Sequence, residues 1–209
     1  MKNMRLTVCI GIMCGWLAAG MLHAGTWPDH VRPVEEDGSR LWLPVIRPVE
    51  GAEVEITYKG KVSPTIAIAI AELKNAWKGD PVLLEKKKTG RGDGFAITSS
   101  EHQVRILSST ETGLLYGAYS LLRMQAAGQL TVPLSVTEQP AYDLRILNHW
   151  DNPDGTVERG YAGRSLWNWE ELPGTLSPRY EAYARANASV GINGTVLNNV
   201  NASPQVLTT

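Results

Sequence analysis

The alternation of apolar and polar positions predicts strands and helices mixed together in the first two thirds of the chain. Residues 54–58 alternate in the way that a half-buried strand does. Ser63 followed by Pro64 is typical of a helix start, and it predicts an Ala-rich helix that continues to Trp77. Three further short strands are predicted, at 81–85, 95–98 and 104–107.

A second helix is predicted after the last of these strands. Thr110 can cap it, and apolar residues then recur at i, i+3, i+4 and i+7 from Leu114 to Leu122. Gly128 is typical of a helix end. Up to about residue 140 the strands and helices alternate without a regular βαβ repeat. This pattern predicts a small α+β domain.

The pattern changes from Tyr142 onward. The sequence predicts a strand at 144–147, a long loop at 148–175, a helix at 178–190 and a strand at 192–200. Strand, long loop, helix and strand in this order are typical of a parallel βα structure. A (β/α)8 barrel has ~250 residues, or ~31 for each unit, so residues 142–209 correspond to about two units. The remaining units would follow Thr209, and the sequence is therefore expected to be truncated.

The first 24 residues resemble a secretory signal peptide. Lys2 and Arg5 precede an uncharged stretch at 6–22, and a small residue closes the segment at Ala24. A membrane anchor is the alternative, although the stretch is at the short limit for a spanning helix. Both cysteines lie inside this segment, so the exported chain would fold without disulfides. We expect export to the periplasm or the extracellular space.

Composition and charge narrow the function classes. The chain of 209 residues is 43% hydrophobic and 20% charged, as expected for a globular protein rather than a disordered one. Its formal net charge of −1 argues against nucleic acid or an anionic membrane as a partner. Seven Trp and seven Tyr accompany a single Phe, and such rings suit contact with sugars. The few, widely spaced histidines predict no metal site, and no motif predicts a cofactor.

Two long motifs carry a family resemblance. Residues 147–152 (LNHWDN) with 155–167 (GTVERGYAGRSLW), and residues 184–188 (ARANA) with 191–202 (GINGTVLNNVNA), resemble glycoside hydrolase family 67, the α-glucuronidases. Residues 113–117 (GLLYG) are similar to the accessory domain that precedes the barrel in this family. After the predicted signal peptide at 1–24, the resemblance implies an α+β accessory domain at 25–140 and an incomplete start of a (β/α)8 catalytic domain at 141–209.

The resemblance also implies an activity. Family 67 enzymes hydrolyse, with inversion, the α-1,2 link between (4-O-methyl-)glucuronic acid and the terminal xylose of xylo-oligosaccharides, a step of xylan degradation. In this family the catalytic carboxylates come from later barrel loops. We therefore expect them beyond Thr209, no catalytic residue within 1–209, and no activity of this chain alone. The full-length protein would take a small-molecule substrate and could form a homodimer.

Four residues are implied to bind substrate: Trp150, Val200, Asn201 and His149. Trp150 would form a wall of the uronate site, with a core indole as the alternative. Val200 would line the space near the 4-position, with ordinary barrel packing as the alternative. Asn201 and His149 could bind sugar hydroxyls or serve structural roles.

Loop carboxylates such as Asp151 and Asp154 are expected to cap turns or pair with arginines rather than catalyse.

Two other functions of the chain stay open. The first is a non-catalytic carbohydrate-binding module, and the second is another exo-glycosidase that shares the accessory domain.

Overall fold

The computed structural model describes Leu43 and residues 54–197. The chain divides into two compact units, Met1–Ser39 and Arg40–Thr209. The first unit, with the predicted signal peptide, lies outside the described residues. In the described part no helix is long and apolar enough to cross a membrane.

The described elements follow one another along the second unit. The strands are β1 (Ile56–Tyr58), β2 (Val82–Lys86), β3 (Phe95–Ser100), β4 (Gln103–Ser108), β5 (Ser135–Glu138), β6 (Ile146–Asn148) and β7 (Gly194–Val196). The helices are α1 (Pro64–Ala76), α2 (Glu111–Ala126) and α3 (Pro178–Ser189).

The first five strands form one mixed sheet in the order β1-β2-β4-β3-β5. β1, β2 and β4 are parallel, whereas β3 runs antiparallel to both of its neighbours, β4 and β5. The prediction of a mixed domain of strands and helices is confirmed. The parallel crossover formed by β1, α1 and β2 was not predicted from the sequence, and neither was β5.

One face of this sheet forms the core together with α1 and α2. The register places Leu84 beside Ile106, and Ile106 beside Ile97, and all three side chains are fully buried. Each buried side chain of this size stabilises the fold by ~1.5–3 kcal/mol. The opposite face carries polar residues such as Glu85 and Arg105, which form an exposed ion pair. This two-layer arrangement explains why apolar residues alternate along the strands.

Both helix starts agree with the sequence prediction. The Ser63 side chain accepts a hydrogen bond from the Ile66 amide, and Pro64 occupies the first turn of α1. The Thr110 side chain accepts from the Gly113 amide at the start of α2. These caps satisfy amide groups that would otherwise lack a partner at the helix N-terminus.

A second, smaller sheet follows. β6 and β7 pair in parallel, with Ile146 beside Gly194 and Asn148 beside Val196, and α3 connects them. The predicted strand at 192–200 is observed from Gly194 to Val196, and residues 198–200 lie outside the described residues. A strand, a long loop, a helix and a parallel strand therefore follow in the predicted order. Closure into a barrel stays a prediction.

Three arginines connect the two sheets. Arg185 on α3 donates to both carboxylate oxygens of Glu72 on α1, at 2.6 and 2.8 Å. Arg123 on α2 donates to the Ser189 carbonyl at 2.7 Å. Arg145, just before β6, donates to the Asp93 carboxylate, just before β3, at 3.3 Å. The βα unit is thus held against the first sheet by charge-assisted hydrogen bonds.

Candidate functional site

The carboxyl ends of β6 and β7 lie at the same edge because the two strands are parallel. The His149 amide donates to the Val196 carbonyl at 2.9 Å, which extends the pairing by one residue. Trp150 follows directly. Ligand sites of open and closed parallel α/β folds form at this end of the strands. The edge is therefore the candidate site.

The indole of Trp150 is presented at this edge. Its side chain is 50% exposed, so it is not a core indole within the described residues. The Trp150 carbonyl accepts a hydrogen bond from the Glu158 amide at 2.7 Å. Glu158 has a φ of 60°, an uncommon backbone conformation for a residue other than glycine. The backbone around Trp150 is thus held by the loop that follows it.

The imidazole of His149 has a neighbour at each ring nitrogen. Its Nε2 lies 2.6 Å from the Tyr183 hydroxyl on α3. Its Nδ1 lies 3.5 Å from an oxygen of Asp151, and the side chain is only 20% exposed. The ring is therefore placed by contacts within the chain. Binding of substrate by His149 stays a prediction.

Val200 and Asn201, the other two predicted site residues, lie outside the described residues. The strand that leads to them is β7, whose end is paired beside Asn148. Their proximity to Trp150 stays a prediction.

The loop carboxylates hold the loop in shape. Asp151 is almost fully buried, and it accepts hydrogen bonds from the Ser165 hydroxyl and the Leu166 amide. Asp154 accepts from both the hydroxyl and the amide of Thr156, and these hydrogen bonds lower the pKa of Asp154 below its usual value. The prediction that these carboxylates cap turns is confirmed for Asp154, whereas Asp151 holds a segment of the loop 14 and 15 positions further along the chain.

An aromatic cluster lies behind the edge. The ring of Trp167, buried in the loop, is 5.4 Å from His149 and 5.5 Å from Tyr183 between ring centroids, in edge-on contacts. Tyr180 lies 5.1 Å from the same indole. The spacing of Tyr180 and Tyr183 on one face of α3 was visible in the sequence. The contact of these two tyrosines with Trp167 and His149 could not be predicted, because it depends on how the loop between β6 and α3 folds back onto the helix.

The Arg-Gly-Asp tripeptide at 91–93 makes contacts within the chain. Asp93 accepts from the Thr110 hydroxyl and pairs with Arg145 at 3.3 Å. Arg91 lies 3.5 Å from Asp143. No group of three or more potential metal-binding side chains occurs among residues 54–197.

Comparison with known proteins finds a family match for residues 124–209. These residues match the family model described as the glycosyl hydrolase family 67 middle domain. This part of the chain is similar to glycosyl hydrolase family 67. The match includes the whole candidate edge, from β6 through α3 to β7. The family predicted from the two long motifs is confirmed, and with it a glycoside hydrolase family.

Curated relatives of family 67 agree with this assignment. "Probable alpha-glucuronidase A" of Aspergillus clavatus is 42% identical over 116 residues, and its counterpart in Neosartorya fischeri is 45% identical over 116 residues. "Alpha-glucuronidase A" of Aspergillus tubingensis is 41% identical over 115 residues. Each match covers 55% of this chain but 14% of the relative's length.

A solved structure supports the fold alone. The GH138 enzyme targeting pectin rhamnogalacturonan II superposes with a TM-score of 0.52 at 15% sequence identity. The match covers 70% of this chain and 19% of that one.

The domain boundaries at 24 and 140 stay predictions.

Proposed function

We propose that the protein containing this chain is an inverting α-glucuronidase. It would release (4-O-methyl-)glucuronic acid from the terminal xylose of xylo-oligosaccharides during xylan degradation. The observation that carries the proposal is a half-exposed indole, Trp150, at the shared carboxyl edge of two parallel strands, within residues that match family 67. Three fungal relatives named as alpha-glucuronidase A or probable alpha-glucuronidase A are 41%, 42% and 45% identical over 55% of the chain.

β6 and β7 are proposed as the first two strands of a (β/α)8 barrel, with residues 25–140 as an accessory domain. The register puts Ile146 and Val196 on one face of the small sheet, where they are 48% and 39% exposed. Branched apolar side chains fill the interior of such barrels. The two partly exposed apolar side chains, which share this face with Asn148, support a barrel interior that later strands would cover.

The proposed substrate site uses the two strand ends differently. The flat indole of Trp150 would cover one face of the uronic acid ring and exclude water. Val200 would border the 4-position, where its branched side chain accepts a methyl ether without leaving a polar group unpaired. Asn201 would hydrogen-bond to sugar hydroxyls, and His149 would lie beside them.

Inverting hydrolysis requires two carboxyl groups. One protonates the leaving oxygen and the other activates water from the opposite face, with the two groups ~6.5–9.5 Å apart. Asp151 and Asp154 are both engaged in loop hydrogen bonds. The resemblance to family 67 implies that the acid and the base lie in later barrel loops, beyond Thr209, and we expect no turnover by residues 1–209 alone. No cofactor takes part, and the proposed protein is exported and can form a homodimer.

The test is an assay of the protein expressed from the complete reading frame. Aldobiouronic acid is the substrate, and proton NMR follows the product before it mutarotates. Release of the β-anomer of glucuronic acid supports the proposal. Release of the α-anomer would overturn inversion. Binding without turnover would favour a carbohydrate-binding module, and neither binding nor turnover would overturn the proposed site.

A further inference from the structure

We propose that His149 is a positioning residue, which acts with Asp151 and Tyr183 to fix the backbone that presents the Trp150 indole. The effect that we infer for sugar binding rests on the proposed function. The inference that these contacts hold the indole in place is independent of the proposed function.

One hydrogen bond and one nearby carboxylate favour a particular arrangement of the imidazole proton. The carboxylate of Asp151, 3.5 Å from Nδ1, favours the tautomer with the proton on Nδ1. Nε2 then accepts the hydrogen bond from the Tyr183 hydroxyl at 2.6 Å. In this arrangement both ring nitrogens are engaged within the chain. His149 therefore has no free ring nitrogen to offer to a sugar hydroxyl unless it gives up one of these contacts.

Each residue of this chain of contacts is itself held. Asp151 is buried and accepts from the Ser165 hydroxyl and the Leu166 amide. Tyr183 is fixed on α3, and its ring meets the buried Trp167 edge-on. The imidazole thus connects the loop after β6 to the helix that follows it.

Trp150 lies between the two held residues 149 and 151. On one side the His149 amide is hydrogen-bonded to the Val196 carbonyl, and on the other Asp151 forms an isolated bridge with Val157. The Trp150 carbonyl accepts from Glu158. With three successive residues fixed, the direction in which the indole leaves the backbone is fixed as well. Loss of the imidazole contacts would remove the side-chain support of residues 149 and 151, and we expect the indole to change direction as a result.

This arrangement gives His149 an indirect role in the proposed reaction. Misplacement of a substrate-positioning group by about 1 Å can lower activity by ~10²-fold. In this proposal the imidazole contacts neither the reacting bond nor the catalytic carboxyl groups. Loss of the imidazole therefore affects how the substrate is held. The expected loss therefore includes a clear rise in KM.

The experiment compares three variants with two matched controls. Tyr183→Phe removes one hydroxyl, His149→Gln keeps an amide that can contact both partners, and His149→Ala removes the ring. Tyr142→Phe and His102→Gln make the same chemical changes at exposed positions outside the edge. All are made in the protein from the complete reading frame, and again in a Trp150→Phe background.

Two readouts are measured for each variant. The first is the near-ultraviolet circular dichroism and the acrylamide quenching of Trp150, obtained as the difference between each variant and its Trp150→Phe counterpart. The second is KM and kcat on aldobiouronic acid. We expect Tyr183→Phe to raise KM about threefold to tenfold, and His149→Ala about tenfold to a hundredfold. His149→Gln should be closer to the parent protein than His149→Ala is.

The two readouts separate the possible failures. An unchanged Trp150 signal in both Tyr183→Phe and His149→Ala would overturn the positioning role, whatever the activity. A changed signal without any uronide turnover or binding would support the positioning role and contradict the proposed function. An unchanged signal with a large rise in KM would instead assign His149 to direct substrate contact.

Discussion

At the scale of single residues, two glycines determine how closely α2 lies on β4. A Cβ atom at Gly117 would be 2.4 Å from the Ile106 methyl group, and one at Gly113 would be 2.1 Å from the Ser108 hydroxyl oxygen. Both positions are buried in the helix. The absence of a side chain therefore allows the helix backbone to approach the sheet.

We predict that Gly117→Ala destabilises the chain. The added methyl group would overpack the core at a cost of about 1–3 kcal/mol, more than the ~1 kcal/mol that alanine contributes through helix propensity. Urea unfolding measures the difference. Gly174→Ala is the control, because a Cβ there meets its nearest atom at an ordinary 3.5 Å. Equal or higher stability of Gly117→Ala would show that α2 can move away from β4.

We also predict that Trp150→Ala lowers kcat/KM on aldobiouronic acid by ~10²-fold, because the sugar loses the face that orients it. The exposed indole contributes little to the core, so the unfolding midpoint should change little. Tyr142→Ala, which removes another exposed aromatic ring, serves as the control. If kcat/KM is unchanged, Trp150 does not belong to the site.

The residue types of the site could be predicted from the sequence, but their partners could not. The motif around Trp150 was specific enough to indicate a family. Nothing in the sequence placed Tyr183 beside His149, because 34 positions separate them and a long loop folds between them. The burial of Asp151 likewise depends on Ser165 and Leu166 returning to it.

At the scale of elements, the structure depends on how α3 is fixed to α1 and α2. Arg185 provides the main ion pair, since both it and Glu72 are less than one fifth exposed. Its guanidinium also donates to the Leu43 carbonyl and lies 5.9 Å from the Tyr119 ring centre. A planar, bidentate contact of this kind fixes orientation as well as distance.

Arg185→Met is predicted to destabilise the chain by about 2–4 kcal/mol, because it leaves the Glu72 carboxylate partly buried without its partner. Equilibrium urea unfolding gives the value. The control, Arg105→Met, breaks an exposed pair with Glu85 and should cost no more than ~1 kcal/mol. A similar loss in the two variants would mean that the connection between α3 and α1 is apolar rather than ionic.

Most of the elements were predictable, for local reasons. Cap residues and apolar periodicity marked α1 and α2, and alternation marked the strands before them. β5 (Ser135–Glu138) was missed because its sequence, SVTE, is short and mostly exposed. This segment is a strand because it pairs with β3. Pairing with a strand that is distant in the sequence is not visible in the residue pattern of the segment itself.

At the scale of the whole molecule, buried phenols make the fold sensitive to alkali. Burial, and then the nearby Glu72 carboxylate, raise the pKa of Tyr119 well above its usual value. Burial followed by the charge of Asp93 raises the pKa of Tyr116. The folded state therefore retains these protons more strongly than the unfolded chain does. Their contribution to stability is complete below the ordinary tyrosine pKa of ~10 and is lost as the pH rises above it.

The predicted result is a urea midpoint that falls steeply between about pH 10 and pH 12. Tyr119→Phe should be less stable at neutral pH but less dependent on pH in this range. Tyrosinate absorbance near 295 nm follows the ionisation in parallel. Tyr142→Phe, at an exposed ring, should keep the steep dependence. The same slope in Tyr119→Phe and the parent chain would exclude Tyr119 as the cause.

The class of the fold could be predicted, but the order of its strands could not. Apolar alternation shows that a strand has a buried face, yet it does not show which neighbour that strand pairs with. The placement of β4 between β2 and β3 follows from the core that α1 and α2 cover together.

The arginines that connect the two sheets donate to two carboxylates, at Glu72 and Asp93, and to two carbonyl oxygens, at Leu43 and Ser189. Every amino acid supplies a carbonyl, so substitutions at Leu43 and Ser189 would leave those acceptors in place. Correlated substitutions across relatives would then reveal only the carboxylate partners, Glu72 for Arg185 and Asp93 for Arg145. An approach that infers proximity from evolutionary covariation would consequently underestimate how firmly this junction is held.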